Sequence, residues 1–194
     1  RGRDIKRYAY EWANLWLINT HNGVKGKIER IHIEDYPAVK AHLDLYWDKI
    51  SKRADKGDTP YNLRNCAYLE DFSKPKIVWG NLNIKAGYAL VEDFAFVNAP
   101  SPMIVPSSKY LLAVLNSKIA DYYIRLLGVT RNGGYFEYKP MFVEKIPIPK
   151  NVDESIISEI ETSIAVKDEV KIDASIYNLY GLNKEEINFI ENKN

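Results

Sequence analysis

The sequence contains little cysteine and no long apolar run, and these absences exclude several classes of protein. Its single cysteine, Cys66, excludes an internal disulfide and is typical of the reducing cytoplasm. No apolar stretch approaches the length of a membrane span, and the first residues are not followed by the apolar segment of a secretory signal. We therefore expect a cytoplasmic globular protein with no membrane partner. The chain does not begin with methionine, which suggests a piece of a longer polypeptide.

Common catalytic and metal-binding motifs are missing as well. The stretch 23–27, "GVKGK", has neither the spacing nor the hydroxyl residue of a phosphate-binding P-loop, and no Gly-x-Ser-x-Gly elbow occurs. The three histidines stand in different segments without paired ligand spacing, and a lone cysteine cannot complete a zinc site. Structural or surface roles are therefore expected for His21, His32, His42 and Cys66. We predict no metal site and no catalytic residue in this chain.

One group of residues keeps a catalytic alternative open. Metal-dependent nucleases place an acidic residue near a Glu-x-Lys strand to hold magnesium and activate water. Glu137-Tyr138-Lys139 has this form, and Asp121 lies upstream of it. Asp121, however, falls on a predicted helix rather than beside a strand, and such triplets arise by chance in a charged chain. A magnesium-dependent nuclease that uses Asp121, Glu137 and Lys139 is thus the less favoured alternative.

The net charge of +1 conceals two parts of opposite sign. Residues 1–150 contain 23 Lys and Arg against 16 Asp and Glu, which gives +7, whereas residues 151–194 contain 4 against 10, which gives −6. The boundary is the segment 145–150, "KIPIPK", whose two prolines predict a short stiff rod. We predict a basic body over 1–150, which favours an anionic partner, and an acidic helical tail over 151–194 that packs on the body or on a partner.

Local patterns predict an α+β body with an irregular twisted β-sheet. The stretch from Ile5 to Ile18 and the short apolar runs between 76 and 105 look like strands, separated by turn residues such as Asn22-Gly23. Helices are predicted from Pro37 to about Arg53 and, as one long packed helix, from Ser107 or Ser108 to Gly128. A further strand is predicted between the loop 129–140 and the rod.

Two details of the helices are predicted from capping chemistry. Asn116 and Ser117 interrupt the leucine stripe of the long helix, and we expect them to make packing or capping hydrogen bonds rather than to contact a base. In the tail, isoleucines recur at helical spacing, and Asn183 with Glu186 forms a capping box for a last short helix.

Cations and amides in predicted loops and at strand ends indicate nucleic-acid binding. Arg and Lys neutralise phosphates, and Arg and Asn make the bidentate contacts that read guanine and adenine in the major groove. The loop Gly128 to Tyr135 is polar, contains two glycines and follows a rigid helix, which favours a readout role. Aromatic residues expected to pack against a sugar or a base are Tyr61, Tyr68, Trp79, Tyr135 and Tyr138. The predicted DNA-binding residues are Lys6, Arg7, Arg53, Arg64, Asn65, Lys74, Lys76, Asn81, Asn83, Lys85, Arg131, Asn132 and Lys139.

Six segments occur together in an order that is typical of one family. They are "GRDIKRY", "YNLR", "KPKIVW", "LLAVLNSKIADYYI", "KPMFVEKIPIPK" and "IDASIYNLYGLNKEEINFIE". Over nearly its whole length the chain resembles the TaqI-like C-terminal specificity domain, the target recognition domain of adenine-specific DNA methyltransferases and of fused type IIG restriction-modification enzymes. The specificity subunits of type I restriction systems carry a similar helix and proline step and are the alternative.

The resemblance implies a bacterial defence enzyme in which separate domains carry out DNA recognition and catalysis. In such enzymes a separate catalytic domain binds S-adenosylmethionine and methylates a flipped adenine at N6, using an Asn-Pro-Pro-Tyr type motif. This sequence contains neither that motif nor a glycine-rich cofactor motif. The resemblance thus implies a domain over 1–150 that recognises double-stranded DNA without catalysis or cofactor. Its expected partners are DNA and the S-adenosylmethionine-dependent catalytic domain of the same polypeptide. A protein-interaction module whose acidic tail docks on a basic partner is the remaining alternative.

Overall fold

A computed structural model describes residues 1–193, and the chain forms two compact units. The larger unit consists of Arg1–Ala13 together with the chain from Ser73 onward, and the smaller unit is Asn14–Phe72. The smaller unit is therefore an insertion in the sequence of the larger one. The predicted helical tail belongs to the larger unit, together with most of the basic body.

The helices lie mainly in the second half of the chain. The smaller unit contains α1 (Pro37–Asp44) and α2 (Trp47–Ile50). The larger unit contains α3 (Lys109–Asn116), α4 (Lys118–Leu127), α5 (Pro140–Val143), α6 (Glu154–Ala165), α7 (Glu169–Leu179) and α8 (Lys184–Lys193). Single 3-10 turns cover Gly2–Asp4, Ile33–Asp35 and Leu69–Ser73.

The strands are short and all pair antiparallel. They are β1 (Ile5–Lys6), β2 (Ala9–Tyr10), β3 (Lys76–Trp79), β4 (Leu82–Asn83), β5 (Tyr88–Val91), β6 (Met103–Ile104), β7 (Thr130–Arg131) and β8 (Tyr135–Glu137). They form three sheets with the orders β1-β2, β5-β3-β6 and β4-β8-β7. The α+β class is confirmed, but the predicted single sheet is divided. Gly, Pro and Asn between the apolar runs end each strand after a few residues, because they weaken or interrupt ladder pairing.

The core of the larger unit lies between sheet β5-β3-β6 and the helices. Every residue of β3 is buried, so this strand is covered on both faces. Ile77 and Trp79 pack toward the helices, whereas Val78 packs with β1 and the opposite face of β5. Buried side chains from the sheet, from α3 and α4, and from the tail helices share one cluster that includes Ile77, Tyr88, Leu112, Ile124, Ile160, Ile172 and Ile176.

The predicted long helix is two helices, α3 and α4, with a break at Ser117. Ser108 caps α3 by accepting a hydrogen bond from Leu111 N at 3.0 Å. Ser117 has extended backbone, with ψ of 151°, and caps α4 by accepting from Ala120 N at 3.2 Å. A serine at this point offers the backbone a second N-cap, which competes with continuation of the helix. The apolar stripe continues on both sides of the break, so periodicity alone did not reveal it.

Of three other expectations about local structure, two were confirmed only in part and one was wrong. Only β1 and β2 form within the stretch Ile5 to Ile18. The helix predicted to reach Arg53 is divided into α1 and α2, whose residues are all at least partly exposed, so packing does not enforce one continuous helix. The strand predicted before the rod is helix α5, because Pro140 occupies its first turn, where a missing N–H costs nothing.

The tail helices and the capping box were predicted correctly. Asn183 Oδ1 accepts from Glu186 N at 3.0 Å, and Glu186 Oε2 accepts from Asn183 N at 2.9 Å. The proline rod before the tail lies against the core through Ile146, which is buried. Its two proline carbonyls accept hydrogen bonds from tyrosines of α3 and of the end of α7: Tyr110 to Pro149 at 2.9 Å and Tyr180 to Pro147 at 2.5 Å.

Side-chain hydrogen bonds organise the loops of the smaller unit. Asn62 is buried and donates to Ile31 O at 2.9 Å, while Thr20 donates to Tyr61 O at 2.7 Å. Buried polar groups that are satisfied in this way fix loop positions without a sheet. Among the residues that the structure describes, none forms a helix long and apolar enough to cross a membrane.

Candidate nucleic-acid interface

Sheet β4-β8-β7 brings six of the thirteen predicted DNA-binding residues together. Asn83 lies in β4, with Asn81 just before it and Lys85 just after it. Arg131 ends β7, Asn132 follows in the turn, and Lys139 follows β8. Residues that are about fifty positions apart in sequence therefore share one small surface because β4 pairs with β8.

The register of this sheet decides which side chains face solvent. Leu82 pairs with Glu137 and Arg131 pairs with Tyr135, so these four side chains lie on one face. Leu82, Arg131 and Tyr135 are exposed. Phe136 lies on the other face and packs against the core, with the Arg125 guanidinium 4.6 Å from its ring centroid. The face that carries Arg131 is therefore the outer face of the sheet.

The hairpin between β7 and β8 has a short exposed tip at Asn132-Gly133-Gly134. Both glycines have positive φ, 80° and 78°, in the left-handed region that other residues rarely adopt. The tip is thus a tight turn that closes the β7–β8 hairpin, with Arg131 and Tyr135 paired at its base. This pair extends beyond β4, which pairs with Phe136 and Glu137, so the end of the hairpin is a short two-stranded ribbon. This geometry presents Asn132 at the most protruding part of the ribbon.

Glu137 organises the cations of the outer face. Its Oε1 accepts a hydrogen bond from Arg131 Nε at 2.6 Å, and its Oε2 forms an ion pair with Lys139 Nζ at 2.7 Å. Hydrogen bonds from Lys139 and Arg131 hold the pKa of Glu137 below its ordinary value, so the carboxylate stays charged. The Glu137 side chain is buried beneath the two cations, whose own side chains remain about half exposed. The Arg131 guanidinium is therefore held in one orientation while further N–H groups remain for a ligand.

This organising role of Glu137 was not predicted from the sequence. The signal was present, since Glu137 and Lys139 are two residues apart and strand alternation places such a pair on one face. The same alternation sends Tyr138 to the opposite face, where its hydroxyl donates to Asp121.

Asp121 and Glu137 do not lie in one site, so they are not placed to hold a shared magnesium ion as the nuclease alternative requires. Asp121 Oδ1 accepts from Ala86 N at 2.7 Å and from the Tyr138 hydroxyl, and its Oδ2 accepts from Arg125 Nε at 2.9 Å. Burial beside Asp121 raises the pKa of Tyr138, so this hydroxyl stays a donor. Within residues 1–193 there is no group of three or more His, Cys, Asp or Glu that could hold a metal ion.

Comparison with known families identifies the class of protein. Residues 1–148 match the TaqI-like C-terminal specificity domain. The chain belongs to this family. Membership indicates sequence-specific DNA recognition within a methyltransferase and restriction-modification system, with a linked methyltransferase, and it confirms the resemblance seen in the sequence. Residues 149–194 lie outside the match, and no curated protein matches the chain.

The amides near β4 in the specificity domain support the sheet. Asn83 Nδ2 donates to Gly80 O at 2.9 Å, and a side chain on Gly80 would collide with the Asn83 amide. Asn81 accepts a backbone hydrogen bond from Tyr138 N at 2.9 Å, which extends the pairing of β4 with β8. The Asn81 Oδ1 atom is buried without a hydrogen-bond partner among the described residues.

Other predicted residues of the larger unit have different surroundings. Lys6 and Lys74 are exposed, and the Lys6 ammonium donates to Arg3 O at 3.0 Å. Arg7 is 3.3 Å from both Glu169 and Asp173 of α7 and forms ion pairs with them. Lys76 is 0% exposed and donates to Lys74 O and Asp93 O, and burial lowers its pKa.

The three predicted residues of the smaller unit make local contacts. Arg53 donates to two loop carbonyls, Asn62 O at 2.6 Å and Pro60 O at 3.2 Å. Arg64 is exposed and lies 3.4 Å from Asp55, whereas Asn65 accepts from the Asn22 amide.

Of the five aromatic residues predicted to contact nucleic acid, only two are exposed. Tyr68 and Tyr135 are exposed, whereas Tyr61 is half-buried and donates to Asp44 Oδ1. Trp79 and Tyr138 are buried in the core, where Trp79 Nε1 donates to Tyr138 O at 2.6 Å. Their apolar rings are used for packing, which takes them away from any ligand.

Proposed function

We propose that this specificity domain reads a short DNA site, mainly through the major groove, with the β7–β8 hairpin of sheet β4-β8-β7. The observation that supports this role is the exposed ribbon with Arg131 and Asn132 at its end, in a chain of the specificity-domain family. The major groove of B-DNA is about 12 Å wide and admits a two-stranded β-ribbon. A tight glycine turn narrows the leading end of the ribbon enough to approach base edges.

On the outer face, the residues proposed for base contacts and those proposed for phosphate contacts lie in different places. Arg131 and Asn132 stand at the tip, where bidentate contacts to guanine and adenine require close approach to the base edges. Lys139, farther from the tip, and Lys85, beside β4, are placed for phosphates. Glu137 prevents Arg131 from rotating freely, which favours selective hydrogen bonding over diffuse attraction.

Three of the predicted residues are left out of this interface for physical reasons. Lys76 is buried, and exposing its ammonium would require opening the central strand. Arg7 is paired with two carboxylates, and Arg53 is bonded to two carbonyls. Each would have to give up these contacts before it could bind a phosphate. The Arg7 side chain is only 26% exposed, whereas Arg131 and Lys139 remain 55% and 41% exposed while they pair with Glu137.

In the larger enzyme this domain supplies recognition, and a linked domain supplies chemistry. We propose that the linked domain is an adenine-specific, S-adenosylmethionine-dependent N6 methyltransferase, fused in a type IIG arrangement of bacterial defence. The specificity domain itself is non-catalytic and binds no cofactor in this scheme. The pairing of Asp121 and Glu137 with separate protein donors supports that assignment.

A selection experiment tests sequence-specific recognition. The 194-residue chain is used to select duplexes from a randomised library, and the enriched and a scrambled duplex are compared by fluorescence anisotropy at several salt concentrations. We expect Arg131→Ala and Asn132→Ala each to cost about 1–3 kcal/mol on the enriched site, with little change on the scrambled one.

The matched control is Lys171→Ala, which removes an exposed cation from α7, away from the sheet. This variant should keep nearly wild-type affinity for both duplexes. Absence of enrichment, or equal affinity for both duplexes at all salt concentrations, contradicts the proposal.

A further inference from the structure

Helices α4 and α8 leave an open groove of about 500 Å³ between them. Its floor is apolar and aromatic, formed by Ile119, Tyr122, Leu182 and Phe189, and its rim carries Glu185 and Glu186. The rings of Tyr122 and Phe189 meet edge to face with centroids 5.7 Å apart. Phe189 is 49% exposed, which leaves a large apolar ring open to solvent.

The groove is separate from the proposed DNA interface. Ile119 and Tyr122 are three residues apart and lie on one side of α4. Asp121 and Arg125 of the same helix do not line the groove and bond instead to Ala86 and Ile84 next to β4. None of the residues that line the groove belongs to sheet β4-β8-β7.

The charge around the groove indicates what kind of ligand the groove binds. The rim is acidic, and residues 151–194 carry a net charge of −6 by sequence count, 4 Lys against 10 Asp and Glu. DNA and anionic lipid headgroups are repelled by such a rim, whereas Lys and Arg side chains are attracted. The Lys193 ammonium already lies 5.5 Å from the centroid of the Phe189 ring, so this ring accepts a cation.

The shape of the groove favours a peptide segment over a small molecule. Sites for small ligands enclose most of the ligand and aim several polar groups at it. Here the groove is open, and its polar groups are concentrated on the acidic side. An amphipathic helix that places apolar side chains into such a groove is a recurring mode of protein recognition.

We propose that the α4–α8 groove binds a basic amphipathic helix of a protein partner. Apolar side chains of that helix contact Tyr122, Leu182 and Phe189, and its flanking Lys or Arg side chains pair with Glu185. This assigns a protein-binding role to a part of the chain, α8, that lies outside the family match.

The test uses a fluorescein-labelled synthetic peptide and the full 194-residue chain. The peptide is a helix of about 18 residues, long enough for five turns, with Leu at i, i+3, i+4 and i+7 and Lys on the flanks. A matched peptide carries Glu in place of each Lys. We expect saturable anisotropy changes with the basic peptide and at least about tenfold weaker binding with Phe189→Ala and with Glu185→Lys.

The matched control is Glu159→Lys, which makes the same charge change on an exposed site of α6. Its peptide affinity should stay within about twofold of wild type, because Glu159 does not line the groove and exposed surface charges are screened by salt. The DNA affinity of Glu185→Lys should equal that of Glu159→Lys, so loss of peptide binding is distinguishable from loss of DNA recognition. Glu185 is exposed, and its variant therefore tests the groove even if Phe189→Ala impairs folding.

Three outcomes of the peptide assay overturn the proposal. They are equal binding of the basic and acidic peptides, basic-peptide binding that survives both groove variants, and no peptide binding. If sedimentation shows self-association that Phe189→Ala abolishes, the groove belongs to a second copy of this chain instead.

Discussion

The Asn116 side chain pairs with the backbone of Tyr88 in both directions. Its Nδ2 donates to Tyr88 O and its Oδ1 accepts from Tyr88 N, each at 2.9 Å, and both residues are buried. The amide of Asn116 thus bonds to the edge of β5 at this residue, much as a neighbouring strand would, and Tyr88 O also accepts from Tyr8 N at 2.9 Å. It joins the end of α3 to the central sheet.

Replacing Asn116 should destabilise the fold strongly. Asn116→Ala leaves the buried N–H of Tyr88 without a partner, whereas Tyr88 O keeps its hydrogen bond from Tyr8 N. We expect a loss of about 1–3 kcal/mol in the free energy of unfolding. Urea denaturation followed by circular dichroism measures this loss. Asn178→Ala, at an exposed position of α7, is the control and should change stability by less than about 0.5 kcal/mol. Similar stability of the two variants would refute the role of the Asn116 pair.

Removal of Arg7 should produce a pH-dependent loss of stability. Burial raises the pKa of Asp173, and the Arg7 guanidinium 3.3 Å away opposes that rise. In Arg7→Gln the buried carboxylate loses its counter-charge, which should cost about 3 kcal/mol at neutral pH and raise the pKa of Asp173 further. Because the folded-state pKa then exceeds the unfolded one by more than in the wild type, stability falls further as pH rises through the interval between them.

The measurement is urea unfolding of Arg7→Gln and wild type between about pH 4 and pH 8. An Asp with a raised pKa titrates within this range. The stability difference should shrink toward the acidic end, where Asp173 is protonated. The double variant Arg7→Gln, Asp173→Asn should lose most of this pH dependence. A difference that is constant with pH would show that Arg7 acts by packing alone.

Two neighbours on α7 should respond very differently to shortening. Ile172 is 0% exposed in the main core, whereas Val170 is 82% exposed. Ile172→Ala should lower the free energy of unfolding by about 2–4 kcal/mol, since it opens a cavity between the tail and the body. Val170→Ala should have an effect below about 0.5 kcal/mol. Equal effects in thermal denaturation would mean that the tail is not an integral part of the core.

Neutralising Glu137 should weaken discrimination rather than DNA binding. Glu137→Gln removes the anion beneath Arg131 and Lys139, so the outer face gains positive charge and the guanidinium loses its fixed partner. We expect nonspecific affinity to rise by roughly 0.5–1 kcal/mol and the preference for the selected duplex to fall. Anisotropy with the selected and scrambled duplexes checks this. A gain in preference for the selected duplex would contradict the orienting role.

Some features of the fold were predictable because their signals are local. The Asn183 and Glu186 capping box, the helices of the tail and the caps at Ser108 and Gly128 depend on residues within a few positions of one another. The roles of Asn116 and Ser117 followed from their position in a leucine stripe. The break at Ser117 was missed because the stripe continues through it, and periodicity measures only which face is apolar.

The interface could be predicted only in part. The loop with Arg131, Asn132 and two glycines was recognised as exposed and polar, but its local β7–β8 pairing was not predicted. The third strand of its sheet, β4, lies about fifty residues earlier, so a local pattern could not show it. Lys76 looked like a surface cation. Lys76 is buried because strand β3 is covered on both faces. The residues next to Lys76 in sequence do not show that other parts of the chain cover this strand.

The amino-acid sequence by itself determined the family, the α+β class, the helix caps and the sign of charge in each part of the chain, since each of these is written in contiguous residues or in composition. The tertiary structure decided which charges remain available. Arg7 is neutralised by Asp173, which lies 166 positions away, and Asp121 is bonded to Tyr138 on the face of β8 opposite Glu137. Such pairings depend on distances that the folded chain alone creates, because electrostatic and hydrogen-bond energies act over a few ångströms of space rather than along the sequence.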